Sequence, residues 1–179
     1  MPKLLRTLRL DPSDTLIFPR AAEPGEWAVP GGFCFWDDTA ETLTGKRQQA
    51  FRAGFLGLSS FGWSTLVEVA ELSAAEHAAA LSSLASHIRS EYGAPDDAAA
   101  RGAAAEELAF AESLCDQPPG TVLALTRRSE EGEVREAFRT LHRRETPHRD
   151  FGALPVFAVA EVEDDRPVER PDLTRMNRP

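Results

Sequence analysis

The densest run of large apolar side chains is FRAGFLGLSSFGWSTLVEVAE, residues 51–71, and its periodicity changes part-way along. Phe51, Phe55 and Leu58 fall at i, i+4 and i+7, the spacing that gathers side chains on one face of a helix. Beyond Gly57, Ser59 and Ser60 the period drops to two: Trp63, Thr65, Val67 and Val69 alternate with Ser64, Leu66, Glu68 and Ala70, the signature of a strand. The pattern therefore predicts a helix that passes directly into a strand. Gly54, Gly57 and Gly62 among the bulky groups call for positive φ or for a segment packed closely against the backbone. Such a corner either forms the core or, with Phe55, Phe61 and Trp63 turned to one side, lines a pocket.

Upstream, KLLRTLRL (3–10) and TLIFP (15–19) read as two strands of a hairpin joined by Asp11-Pro12-Ser13-Asp14. Trp27, Val29, Phe33 and Phe35 alternate along a third strand, which Pro30 and Gly31-Gly32 interrupt as a bulge or an edge would. Asp38 followed by Glu41 resembles a capping box and opens the helix that runs into the corner. Downstream, Ser73 and Glu76 form a second capping box. Leu81, Leu84, Ile88 and Tyr92 then mark one helical face, which Gly93 closes. Pro95 fits the first turn of another helix striped by Leu108, Ala111, Leu114 and Cys115, and the short connection predicts an antiparallel pair. TVLALTRR (121–128) has the β-branched, apolar look of a buried strand. Residues 133–142 match a helix in Val134, Ala137, Phe138 and Leu141, but Gly132 stands where a cap from Ser129 needs Glu or Gln, so a hairpin is expected. LPVFAVAEVE (154–163) is a last strand, and 164–179 is too rich in proline and charge to join a core.

The resulting order, β-β-β-α-β-α-α-β-β-β, separates strands from helices. It predicts an α+β fold, a mostly antiparallel sheet with helices packed on one face, in a single domain over 1–163 with a polar C-terminal tail.

Composition narrows the function more than the fold. The 179 residues are 42% hydrophobic and 27% charged, as in a soluble globular domain. Twenty basic against 29 acidic side chains leave a formal charge of −9, which repels nucleic acid and anionic membranes. No stretch is apolar enough for a membrane span, and arginines interrupt the N-terminal leucines before a signal sequence could form. Cys34 and Cys115 follow no metal or redox spacing, so reduced thiols in a cytoplasmic protein are expected.

Phosphate-loop, dinucleotide, nucleophile-elbow and zinc-protease motifs are absent from the sequence. His77 and His87, on an alanine-rich helix, read as surface residues. His142 and His148 stand among arginines that would repel a metal cation, and no metal or cofactor is expected. Arg135, Arg139 and Arg143 would share one face of a strand, with Arg127 or Arg128 beside them, an arrangement suited to carboxylate or phosphate. The interspersed Glu130, Glu131, Glu133 and Glu136 offer the plainer reading of cross-strand pairs on a solvated face. Cys115 at a helix C-terminus and Cys34 between phenylalanines read as small buried hydrophobes.

LLRTLRLDPSDT, AAEPGEWAVPGGFCFWD, AGFLGLSSFGWSTLVE and LCDQPPGTVLAL together resemble an uncharacterised family of small bacterial proteins of unknown function. The resemblance spans nearly the whole chain and implies one complete domain, with no activity or catalytic residue to carry over. The first expectation is therefore a non-enzymatic accessory protein that meets another protein or a copy of itself, its strand edges favouring a homodimer. The second is a small-molecule or cofactor-binding protein with a pocket at the Phe51–Val69 corner. The third is an enzyme using Arg52, Arg139 or His142 on an anionic substrate.

Overall fold

A computed structural model describes residues 1–143 and 159–161. Among these residues the strands make one eight-stranded sheet in the order β4-β3-β2-β1-β5-β6-β7-β8. The strands are β1 (Lys3–Leu8), β2 (Trp27–Val29), β3 (Phe55–Gly57), β4 (Trp63–Ser64), β5 (Leu66–Glu71), β6 (Val122–Glu130), β7 (Glu133–Arg143) and β8 (Val159–Glu161). Every adjacent pair is antiparallel. The helices are α1 (Ser13–Ile17), α2 (Gly45–Ala53), α3 (Ala74–Glu91) and α4 (Asp97–Ser113), and a 3₁₀ turn covers Gly32–Phe35. This is the expected α+β architecture. Among the described residues no helix is long and apolar enough to cross a membrane.

Register explains which face is the core. Leu5 lies opposite Val69, Thr7 opposite Val67, Val67 opposite Leu123 and Leu125 opposite Phe138, so these side chains form one inward row, and all are buried. α4 lies against β1 and β2, α3 packs along α4, and α2 packs against β6. The sheet is strongly curled: Phe55 of β3 and Phe138 of β7 are far apart in strand order, yet their ring centroids are 6.3 Å apart.

The α3–α4 pair and the β6–β7 hairpin follow the sequence pattern. Ser73 Oγ accepts from the Glu76 amide while Glu76 accepts from the Ser73 amide, the reciprocal bonds of a capping box. α4 starts later than Pro95 alone suggests, because the Asp96 carboxylate caps it by accepting from the Ala99 amide. In the hairpin, Glu131 and Gly132 both take positive φ between Glu130 and Glu133, as a two-residue type I′ turn requires.

Several expectations are corrected. Residues 15–19 are not a strand. The polar residues before them close a helical turn instead, with Asp11 accepting from the Ser13 amide and Thr15 Oγ1 donating to Pro12 O, and Phe18 enters the core while Leu16 faces solvent. The third strand stops at Val29, because Gly31 at φ +76 redirects the chain into the 3₁₀ turn, which buries the consecutive residues Cys34 and Phe35 as no half-exposed strand could. α2 begins at Gly45 rather than near Asp38, whose carboxylate is taken by Thr42 Oγ1 and the Arg47 guanidinium. α2 also ends at Ala53. Phe55 and Leu56 belong to β3, which is buried on both sides and so lacks the alternation that identifies a strand. The predicted strand from Trp63 to Val69 is present as two, β4 and β5, parted at Thr65, whose hydroxyl donates to the buried Asp14 carboxylate at 2.6 Å. Of the last predicted strand, Val159–Glu161 is present, and the rest of 154–163 and the tail lie outside the described residues.

The inward row of β6 ends in a charge. Arg127 is 1% exposed, and its Nε donates to Glu136 Oε1 at 3.0 Å from the opposite position on β7. Its Nη1 donates to Phe51 O at 2.7 Å and its Nη2 to Pro30 O at 2.9 Å. Arg127→Met should cost about 3–5 kcal/mol, because it removes a buried charge's ion-pair partner and the donor to two carbonyls. The double change Arg127→Met, Glu136→Leu should recover only part of this, since the Phe51 and Pro30 carbonyls still lose their donor. Urea midpoints of the two variants check both statements, and full recovery in the double variant would refute the role of the carbonyl bonds.

Candidate functional site

The corner itself is built on a buried carboxylate. Glu26 Oε1 accepts from the amides of Ser59 at 2.8 Å and Ser60 at 2.6 Å, while Oε2 accepts from Ser60 Oγ at 2.7 Å and the Glu23 amide at 2.5 Å. Ser60 Oγ in turn accepts from the Gly62 amide, and Ser83 Oγ of α3 donates to Leu58 O. Tied on both sides, Phe61 sits at φ +54. Such backbone is costly for a bulky residue, on the order of 1–3 kcal/mol, and persists only where the surroundings impose it. Its ring stacks on the His87 imidazole at 3.7 Å with the planes 5° apart.

Trp63 forms the floor. Its indole lies between two glycines: a Cβ on Gly31 would come within 3.2 Å of the ring, and one on Gly54 within 2.8 Å. Gly31 is fixed by its amide donating to the buried Glu107 carboxylate of α4 at 2.9 Å. Phe35 packs against the same ring, with centroids 5.1 Å apart.

Over this floor lies a cleft of about 380 Å³, open on one side, where the corner, the 3₁₀ turn, the first turn of α2 and the C-terminal end of α3 meet. Leu56, Phe61 and Trp63 give it an apolar wall, and Arg20, Arg47, His87, Glu91, Tyr92 and Cys34 give it polar atoms. The two guanidinium groups differ. Arg47 bonds the Asp38 carboxylate, donates to Cys34 O and covers the Phe35 ring. Arg20 donates to Ser60 O at 3.1 Å, and among the described residues no carboxylate pairs with it.

Three of the titratable groups lining the cleft, Cys34, Tyr92 and His87, are held neutral. Burial pushes the Cys34 thiol up to about 12 and raises the neighbouring Tyr92 phenol. Burial likewise lowers the His87 imidazole, with Arg20 adding to the effect and Glu91 opposing it. A protonated thiol in such surroundings is a poor nucleophile, so the arrangement suits binding through shape and rim charge.

Phe61 and Trp63 are the expected site residues that the structure brings together. Phe55 is wholly enclosed in the core, and Arg52 is exposed on the last turn of α2 away from the cleft. Arg135 and Arg139 share the outer face of β7 with Arg128 opposite Arg135, while Arg127 turns inward. Arg128 pairs with Glu130, and Arg135 with Glu130 and Glu133. His142 and Arg143 stand on β7 in register with Ala160 and Val159. His87 is not the surface residue its helix suggested, whereas His77 meets Glu112 of α4 at 2.7 Å. Sequence reasoning missed Arg20, Glu26, Arg47, Glu91 and Tyr92. The available signal was positional: Glu91 and Tyr92 end a helix whose apolar face was already identified.

A family model matches residues 1–163, and its description is a family of unknown function. The chain belongs to that family, DUF6505. No curated protein and no solved structure matches the chain. The function of the cleft in this DUF6505 member therefore has to be argued from its own geometry.

Two outcomes are expected from the floor and wall. Trp63→Ala should destabilise the protein by about 3–5 kcal/mol, read as a lower urea midpoint, and an unchanged midpoint would place the ring outside the core. The folded His87 titrates below the ordinary 6.5 of an unfolded histidine, so the unfolded chain takes up its proton first as pH falls. Its contribution to stability is intact above pH 6.5 and is lost as the pH falls from there through the folded value. His87→Gln should therefore flatten the fall in Tm between pH 6.5 and about pH 5 relative to wild type, and identical slopes would contradict the buried, neutral imidazole.

Proposed function

We propose that this protein binds a small organic molecule in the cleft above Trp63, without transforming it. The observation that carries the reading is convergence: Arg20, Arg47, His87, Glu91 and Tyr92 come from separate parts of the chain to one largely polar hollow with Leu56, Phe61 and Trp63 on its apolar side. A concave site with a few placed polar groups is the usual form of a ligand pocket, and about 380 Å³ lies at the small end of the range of roughly 300–1,000 Å³. The strained Phe61 supports the same reading, since strain of this kind collects at sites that need a fixed shape. The two cysteines are buried and unpaired, in line with work in a reducing cytoplasm.

A second reading is contact with a protein partner or a second copy of the chain. Its support is Trp36, a large apolar ring left 73% exposed at the end of the 3₁₀ turn.

Thermal-shift screening of a small-molecule library separates the two. A cleft ligand at about a hundred times its Kd adds about 2.7 kcal/mol, which should raise Tm by about 5–10 °C. The shift should vanish in Arg20→Glu, an exposed change that should move intrinsic stability by under about 0.5 kcal/mol. If no compound raises Tm, or if every shift survives Arg20→Glu and Phe61→Ala, the cleft reading fails. A dimer by sedimentation that Trp36→Ala dissociates would establish the second reading.

A further inference from the structure

We propose that the cleft takes a zwitterion with an apolar side group, the chemistry of a free hydrophobic amino acid, its carboxylate held by Arg20 and its ammonium by Glu91. The inference rests on the cleft being a ligand site and adds the ligand's class.

Two opposite charges border the cleft, and among the described residues neither has a charged partner. Arg20 spends one N–H on Ser60 O and keeps the rest of its guanidinium fork for a carboxylate. Glu91 forms no ion pair with Arg20 or with any other described residue. Both lie close enough to His87 to act on the same imidazole, with opposite effects on its proton affinity. Arg47, the other guanidinium, is committed to Asp38, so the described site offers one positive charge and one negative charge to a ligand.

Glu91 is also the last residue of α3. The exposed carbonyls of a helix C-terminus disfavour a carboxylate and favour a cation, so an ammonium there answers the carboxylate and the helix end together. Cys34, Tyr92 and His87 line the same cleft in their neutral forms and can add hydrogen bonding without disturbing the balance. A simple anion at Arg20 would face Glu91, and a simple amine at Glu91 would face Arg20; each carries a repulsive contact that a zwitterion avoids. Leu56, Phe61 and Trp63 leave an apolar wall for the remainder of the molecule.

Isothermal titration calorimetry at neutral pH tests this with L-phenylalanine and L-leucine. The comparison compounds are their deaminated acids, phenylpropionate and isocaproate, and their decarboxylated amines, phenethylamine and isoamylamine. At least one amino acid should bind, and removing either charged group should weaken it by about tenfold or more, the scale of a charge-assisted hydrogen bond. Arg20→Gln should weaken the amino acid and the acid, while the amine, relieved of a like charge, should bind no more weakly than to wild type. Glu91→Gln should weaken the amino acid and the amine, while the acid should bind no more weakly than to wild type. An acid or an amine that binds wild type as tightly as its parent amino acid overturns the proposal and leaves a site for a singly charged ligand. Failure of both amino acids to bind, with a library compound still stabilising the protein through Arg20, overturns the zwitterion and keeps the cleft. Failure of every compound overturns both.

Discussion

One buried guanidinium holds distant parts of the curled sheet together. Arg127 reaches from β6 to Glu136 on β7, to the last turn of α2 at Phe51 O and to the exit of β2 at Pro30 O. The Phe35 and Phe51 rings flank it at 5.4 and 5.8 Å. Burying a charge is expensive, and one carboxylate alone seldom offsets it. Here the guanidinium fork meets a carboxylate, two carbonyls and two ring faces, partners that an aliphatic side chain of similar volume could not satisfy. The bond to the Pro30 carbonyl has the widest effect, because Gly31 and the 3₁₀ turn begin there. The position of Cys34 and Phe35, and with them the inner wall of the cleft, depends on this one side chain.

The cleft has the opposite electrostatic plan. Three of its lining groups are neutral, the thiol, phenol and imidazole, each shifted by burial further toward its uncharged form. Its charges, Arg20, Arg47 and Glu91, stand exposed at the rim, where water still solvates them. The core thus uses its charge to fix shape, and the cleft keeps its charge at the surface.

Legibility in the sequence tracks the range of the interaction. Ser73 and Glu76 are three residues apart, and the β6–β7 turn is two residues long, so both elements can be read locally. Phe55 cannot be placed that way, because an apolar run buried on both sides fits a helix and a strand equally well, and only pairing with β2 decides between them. Arg127 is more legible than an outer-face reading allows. It continues the alternation of Leu123 and Leu125, so the strand that buries those leucines must bury it too, opposite Glu136. The cleft is legible only in Phe61 and Trp63. Arg20 meets the corner through Ser60, forty residues on, and Glu26 reaches Ser59 and Ser60 more than thirty residues away. No periodicity records such contacts.

The glycine slot around Trp63 constrains how this family can vary. The indole is wedged between Gly31 and Gly54, which belong to different segments of the chain, and Leu56 closes against Gly31. A side chain at either glycine would meet the ring, so a change at Gly31 or Gly54 must displace the indole or the segment that carries the glycine. Arg20 and Glu91 carry no such linkage. The rim can therefore change one residue at a time without disturbing the floor beneath it.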